Sequence, residues 1–204
     1  GQHELSANPW LGCHSWADNL HGRSTEVSGV NFYGIDYQPA GKLQEELDKI
    51  PPGTDVLIAH QVWGDLMGNI GNPQGSFADV PVVPMVFTGD YHHFKEVHAT
   101  GKDGQALIAI SPGSTCMQAI DEPPEKYFIV LQDDLMFRRV KLKSRWVIES
   151  GMLSTDDDLD VFITKTLPFQ LDKTEKYVGA LPEVIRKPLL RVTYSHIVSG
   201  TKAA

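Results

Sequence analysis

Three short stretches of this sequence carry side chains able to hold a cation between them. His60 directly follows the apolar run Val56 to Ala59 in TDVLIAHQVW, and Gly89-Asp90-Tyr91-His92 directly follows a second apolar run in VPMVFTGDYHH. Gly1-Gln2-His3-Glu4 stands at the start of the chain. Imidazole nitrogens and carboxylate oxygens both suit divalent transition cations. In an extended segment residues i and i+2 face one side, so the spacing predicts that Asp90 and His92 address one target while Tyr91 and His93 turn away.

Such groups need elements that bring them together. In open α/β sheets functional side chains collect beyond the carboxyl ends of the strands, which gathers His60, the Asp90-His92 cluster and the His3 region. The run Val56 to Ala59 predicts a fully buried strand, and GVNFYGIDY (29–37) a strand with its turn. Leu43, Leu47 and Ile50 recur at helical spacing in GKLQEELDKI, predicting a short amphipathic helix over 41–50 that Pro51 and Pro52 end. Residues 64–81 are rich in Gly, Asn, Pro and Ser and predict a surface excursion over a site.

From FKEVHAT through ALIAISPGS, KYFIVLQ and LMFRRVKLKSR the pattern predicts antiparallel hairpins. The acidic run Asp156, Asp157, Asp158 and Asp160 leads into a helix expected over 158–166, where carboxylates suit the positive end of the helix dipole. A last strand, PLLRVTYSHIV, follows a charged stretch. The expected fold class is α/β, with a domain boundary near residue 150.

The 204 residues are 41% hydrophobic and 22% charged, close to globular averages, which excludes wholesale disorder and collagen-like or coiled-coil classes. No apolar run reaches the length of a membrane span, and the start lacks the basic and apolar regions of a signal peptide, so a cytoplasmic protein with no membrane partner is expected. Cys13 and Cys116 form neither a disulfide framework nor a zinc site by spacing and are read as reduced. The net charge of −8 is uneven: residues 1–100 hold 12 acids against 4 Lys and Arg, and residues 101–204 hold 14 of each. The acidic half argues against unaided binding of a phosphate backbone, because that affinity comes from Lys and Arg displacing counterions.

In order and spacing, Gly1-Gln2-His3-Glu4, the strand-ending His60 and Gly89-Asp90-Tyr91-His92 resemble the last three motifs of the calcineurin-like metallophosphoesterases, G-N-H-[DE], a single His, and G-H-x-H. Ser111-Pro112-Gly113-Ser114-Thr115, the stretch DEPPEKYFIVLQDD and Val140 to Arg145 are similar to the segment after the catalytic motifs in SbcD-type DNA exonucleases. The PLLRVTY strand is similar to part of that family's small capping domain. The resemblance implies a metallophosphoesterase-type β-sandwich flanked by helices, present in part over residues 1–150, and a small α+β capping domain over 151–204.

By the same resemblance Gln2, His60 and Asp90 are ligands of one metal, His92 is a ligand of a second, and His3 contacts the scissile phosphate and protonates the leaving oxygen. The implied cofactors are two divalent cations, manganese before magnesium. Two such ions supply a nucleophile at neutral pH and neutralise charge on the phosphoryl oxygens. His14, His21, His93, His98 and His196 have no place in the pattern and are expected in surface or packing roles. Two positions depart from it: Gln2 stands where the family has Asn, and Asp90 where it has the first His of G-H-x-H. The family's first two motifs, D-x-H and G-D-x-x-D, come before these in the family's order and are not found ahead of Gln2 and His3.

The resemblance therefore implies part of a metal-dependent DNA exonuclease subunit involved in repair and recombination, with DNA, an SbcC-like coiled-coil ATPase and a second copy in a dimer as partners. The first two motifs are expected on a separate chain or lost by truncation. Two other readings stay open: a metallophosphoesterase acting on a small phosphodiester or phosphoprotein, and a non-catalytic assembly module that keeps the fold.

Overall fold

The computed structural model describes residues 18–68, 72–115, 122–123, 125–142, 147–178 and 188–194. Its contacts divide the chain into two compact units, one of residues 1–115 with 127–141 and one of 116–126 with 142–204.

The first unit is α/β and mostly sheet. Strands β1 (Ser24–Val27), β2 (Val30–Ile35), β3 (Val56–Ala59), β4 (Met85–Thr88), β5 (Lys95–Thr100) and β6 (Ala106–Ser111) form one sheet in the order β1-β2-β3-β4-β6-β5. The inner strands β2, β3, β4 and β6 run parallel, while β1 and β5 close the two edges antiparallel to β2 and β6. The register aligns Ile35 with Ala59 and Ala59 with Thr88, so the carboxyl ends of three neighbouring strands stand level.

Strand β1 was not legible as a strand of its own in the sequence. It leads into β2 through the two-residue turn Ser28-Gly29, whose φ angles of 52° and 80° are both left-handed. That is the geometry that matches the twist of a hairpin, and glycine adopts it without steric cost.

Helix α1 (Leu43–Leu47) is shorter than its apolar spacing predicts, and it buries Leu43 and Leu47 against one face of the sheet. The connection from β3 to β4 departs from the expected surface excursion. It forms a one-turn helix α2 (Gly64–Met67) and a 3₁₀ turn (Phe77–Asp79), and Phe77 and Val80 are fully buried. Phe77 stacks on Trp63 with ring centroids 4.8 Å apart. Its backbone N–H donates to Asp65 Oδ2 at 2.9 Å, and Ser76 and Asp79 form a reciprocal capping box. With these backbone groups satisfied, a breaker-rich segment can enter a core that otherwise excludes irregular chain.

The opposite face carries Val30, Val56, Met85 and Ile110, covered by Ile129, Leu131 and Phe137 of the two-stranded ribbon β7 (Lys126–Leu131) and β8 (Phe137–Leu142). Ile58 remains 39% exposed there, so β3 is not wholly buried as its composition predicts.

The second unit is a β-α-β arrangement. Strand β9 (Val147–Leu153) and strand β10 (Leu189–Tyr194) pair in parallel. Helix α3 (Asp156–Val161) continues through a π-helical turn (Phe162–Thr166) into α4 (Leu167–Val178), well past the expected end at residue 166. Thr155 caps α3, with Asp156, Asp157 and Asp158 in its first turn, as the acidic run predicts. Ile148, Leu153 and Phe162 make a small core. Among the described residues no helix is long and apolar enough to cross a membrane.

Candidate functional site

The site lies where β2, β3, β4 and β6 end together. His60 follows β3, and its backbone N–H donates to the Ile35 carbonyl of β2 at 3.2 Å. Gly89 follows β4 and donates to the Ala59 carbonyl at 2.9 Å. These bonds extend the ladder one step beyond the strands, which fixes both backbones just where their polar side chains leave the sheet.

The imidazole of His60 packs over Gly89, where any β-carbon would overlap Nδ1. Its Nε2 lies 3.5 Å from Asp90 Oδ1, with the two side chains 31% and 18% exposed. Asp90 adopts φ of 72°, a left-handed conformation in which Asp and Asn are enriched among non-glycine residues. That conformation breaks the extended alternation the sequence suggested for residues 90–93. Tyr91 and His93 remain neighbours, their ring centroids 5.4 Å apart.

His92 is exposed, and its carbonyl accepts the backbone N–H of Ser114 at 3.1 Å and the Ser114 hydroxyl at 3.3 Å. Among the described residues no three His, Cys, Asp or Glu side chains gather into a group able to hold a metal ion. His60 and Asp90 are thus together as a pair, and His92 is not joined to them as a third member. Gln2 and His3 lie outside the described residues, as do Cys13, Cys116, His14 and His196.

Two residues that sequence reasoning passed over, Gln61 and Thr88, and one whose spacing fits neither missing motif, Asp36, organise the same edge. Asp36 follows β2 directly, so it stands beside His60 at the next strand end. The strand-end rule applied to GVNFYGIDY would have marked it. The Asp36 backbone N–H donates to His21 Nδ1 at 3.1 Å, which gives His21 a structural role.

Gln61 is fully buried, and its amide Nε2 donates to the Asp36 carbonyl at 2.7 Å. Thr88 is also buried: its hydroxyl accepts from Trp63 Nε1 at 2.8 Å and lies 3.3 Å from the Gln61 carbonyl. On the far side the buried Ser111 hydroxyl donates to the Tyr91 carbonyl at 2.8 Å. No sequence signal separates such interior polar residues from surface ones, because burial is decided by what packs over them.

Chemically, a histidine and an aspartate held this way can present one nitrogen and one oxygen to a common cation. No family model and no curated protein matches the chain.

Proposed function

We propose that the chain contributes one part of a two-cation phosphodiesterase centre acting on DNA, in the manner of the SbcD-type nuclease subunits it resembles. The observation that carries this reading is the 3.5 Å approach of His60 Nε2 to Asp90 Oδ1 at the ends of adjacent parallel strands. Octahedral ligands at about 2.1 Å from a small divalent cation stand about 3 Å apart when at right angles. The pair therefore fits two neighbouring positions around one ion with little movement, and its mixed donor set suits manganese, with magnesium second.

Two cations in such a centre supply an activated water and neutralise the charge developing on the phosphoryl oxygens. This chain's own residues would do the following: His60 and Asp90, with Gln2, hold one ion, His92 holds the second, and His3 protonates the leaving oxygen. Gln61 and Thr88 tie the strand ends so that the pair keeps its orientation. An SbcC-like ATPase and chain carrying the first two motifs belong to the same reading.

A second reading, a non-catalytic module that keeps the fold, is favoured by Gln2 and Asp90 standing where the resembled motifs have Asn and His. Manganese calorimetry on the chain and on His60→Ala and Asp90→Ala separates the two. The nuclease reading expects weak binding by the chain that each variant reduces further, and DNA hydrolysis once D-x-H and G-D-x-x-D segments are supplied. Manganese binding that both variants leave unchanged would overturn it.

A further inference from the structure

We propose that Arg139 is an anchor for a backbone phosphate of a nucleic-acid strand that reaches the His60-Asp90 edge. The proposal rests on the nuclease reading and names a substrate contact of that site. Arg139 lies on β8, in the first unit, with its guanidinium carbon 4.4 Å from the Phe94 ring centroid and 5.3 Å from that of Tyr127. The two rings meet edge to face at 6.2 Å. Arginine is nonetheless exposed, and among the described residues it makes no ion pair with a carboxylate.

A guanidinium laid against aromatic faces is held in place while its N–H donors, which lie in its plane, stay available to an outside acceptor. The planar fork matches two phosphate oxygens at once. An arginine in an acidic chain that is positioned by rings instead of by an acid keeps its full charge for a partner.

Place supports the same assignment. Phe94 immediately precedes β5, whose Lys95 pairs with Ser111 at the carboxyl end of β6, so the stack stands at the edge that carries the site. Phe94 is two residues from His92, and their Cα atoms are no more than about 7 Å apart. Strand β8 itself carries Arg138, Arg139 and Lys141 and no acid, although the whole chain has a net charge of −8. Local charge of this kind displaces counterions from a phosphate backbone where the acidic first half cannot.

The test is fluorescence anisotropy of a labelled oligothymidylate with the full chain, in chelator, across a salt series, for wild type, Arg139→Met and Arg138→Met. Methionine keeps packing on the rings and removes the charge, and thermal melting confirms that each variant is folded. Arg139→Met is expected to bind about tenfold more weakly and to lower the slope of log K against log salt by about 0.7. Arg138, adjacent on the strand and so pointing to its other side, is expected to change the slope less.

Equal losses in both variants would show general charge attraction and overturn the assignment to Arg139. An unchanged Arg139→Met with wild-type binding intact would overturn the anchor and leave the nuclease reading standing. Failure of the wild type to bind the oligonucleotide would overturn the anchor, while the nuclease reading is tested separately by the manganese calorimetry. Displacement of the oligonucleotide by inorganic phosphate at matched ionic strength would mark an isolated phosphate site and overturn the strand assignment.

Discussion

His60 and Gly89 meet across the ends of neighbouring strands so closely that residue 89 has no room for a β-carbon. The contact aims the ring: Nδ1 lies over the glycine and Nε2 is left facing Asp90. Gly89→Ala should therefore turn the imidazole away with only a modest loss of stability, about 1 kcal/mol, near the low end of overpacking costs because a side chain can yield where backbone cannot. The His60 ring resonances in NMR should shift and manganese binding should weaken. Unchanged resonances would contradict the contact.

Asp90 combines a ligand-type side chain with a left-handed backbone. Asp90→Asn should keep the fold, since Asn tolerates that conformation, while binding manganese on the order of tenfold more weakly. Asp90→Ala should lose about 1 kcal/mol more than Asp90→Gly, because only glycine adopts this φ freely. Urea denaturation of the three variants measures the difference, and equal stabilities would contradict it.

The Trp63-Phe77 stack shares a buried cluster with Leu57 and Ala59 of β3. Phe77→Ala should destabilise the first unit by about 3–5 kcal/mol, the cost of a cavity beneath a fully buried aromatic. Trp63→Phe should cost less, about 1–2 kcal/mol, for the lost bond to Thr88 and the smaller ring. Denaturation midpoints in the opposite order would place the load on the hydrogen bond instead of the packing.

In the second unit, Asp158 accepts the backbone N–H groups of Ser154 at 2.9 Å and Thr155 at 3.0 Å, and its own N–H donates to the Thr155 hydroxyl at 3.1 Å. The Ser154 N–H is the largest cause holding its carboxyl below the usual 3.8, followed by the Thr155 side chain. A lowered value means the carboxylate favours the folded state. Its contribution is fully present above pH 3.8 and is lost as pH falls through the lower folded value. Amide exchange at Ser154 and Thr155 should therefore stay protected, relative to intrinsic rates, from pH 6 to 4 and lose protection only below about 3.8. Thr155→Ala should reduce that protection already at neutral pH, by about 1 kcal/mol of cap. A loss centred near pH 5 would assign the effect to another group.

Much of the scaffold could be read from residue order because burial leaves a local trace. Val56–Ala59 and Met85–Thr88 are mostly apolar segments of strand length, and each is followed by a polar cluster, at His60 and at Asp90. The acidic start of α3 and its Thr155 cap are likewise written within one turn of chain. Helix α4 was not anticipated from its charged residues; it continues a helix already begun.

The candidate site was legible only in part. That His60 and Asp90 stand at strand ends follows from the apolar runs before them, since a buried strand must stop where the chain turns polar. That they stand at neighbouring ends depends on β3 and β4 pairing in parallel, 29 residues apart from Val56 to Met85, in level register. Tertiary structure also decided the left-handed turn at Asp90, the adjacency of Asp36, the buried tie through Gln61 and the stack beneath Arg139. Apolar patterning records which side of each segment is hidden; which segments hide one another is set by pairing and packing across the chain, and a linear order of residues carries no local mark of that choice.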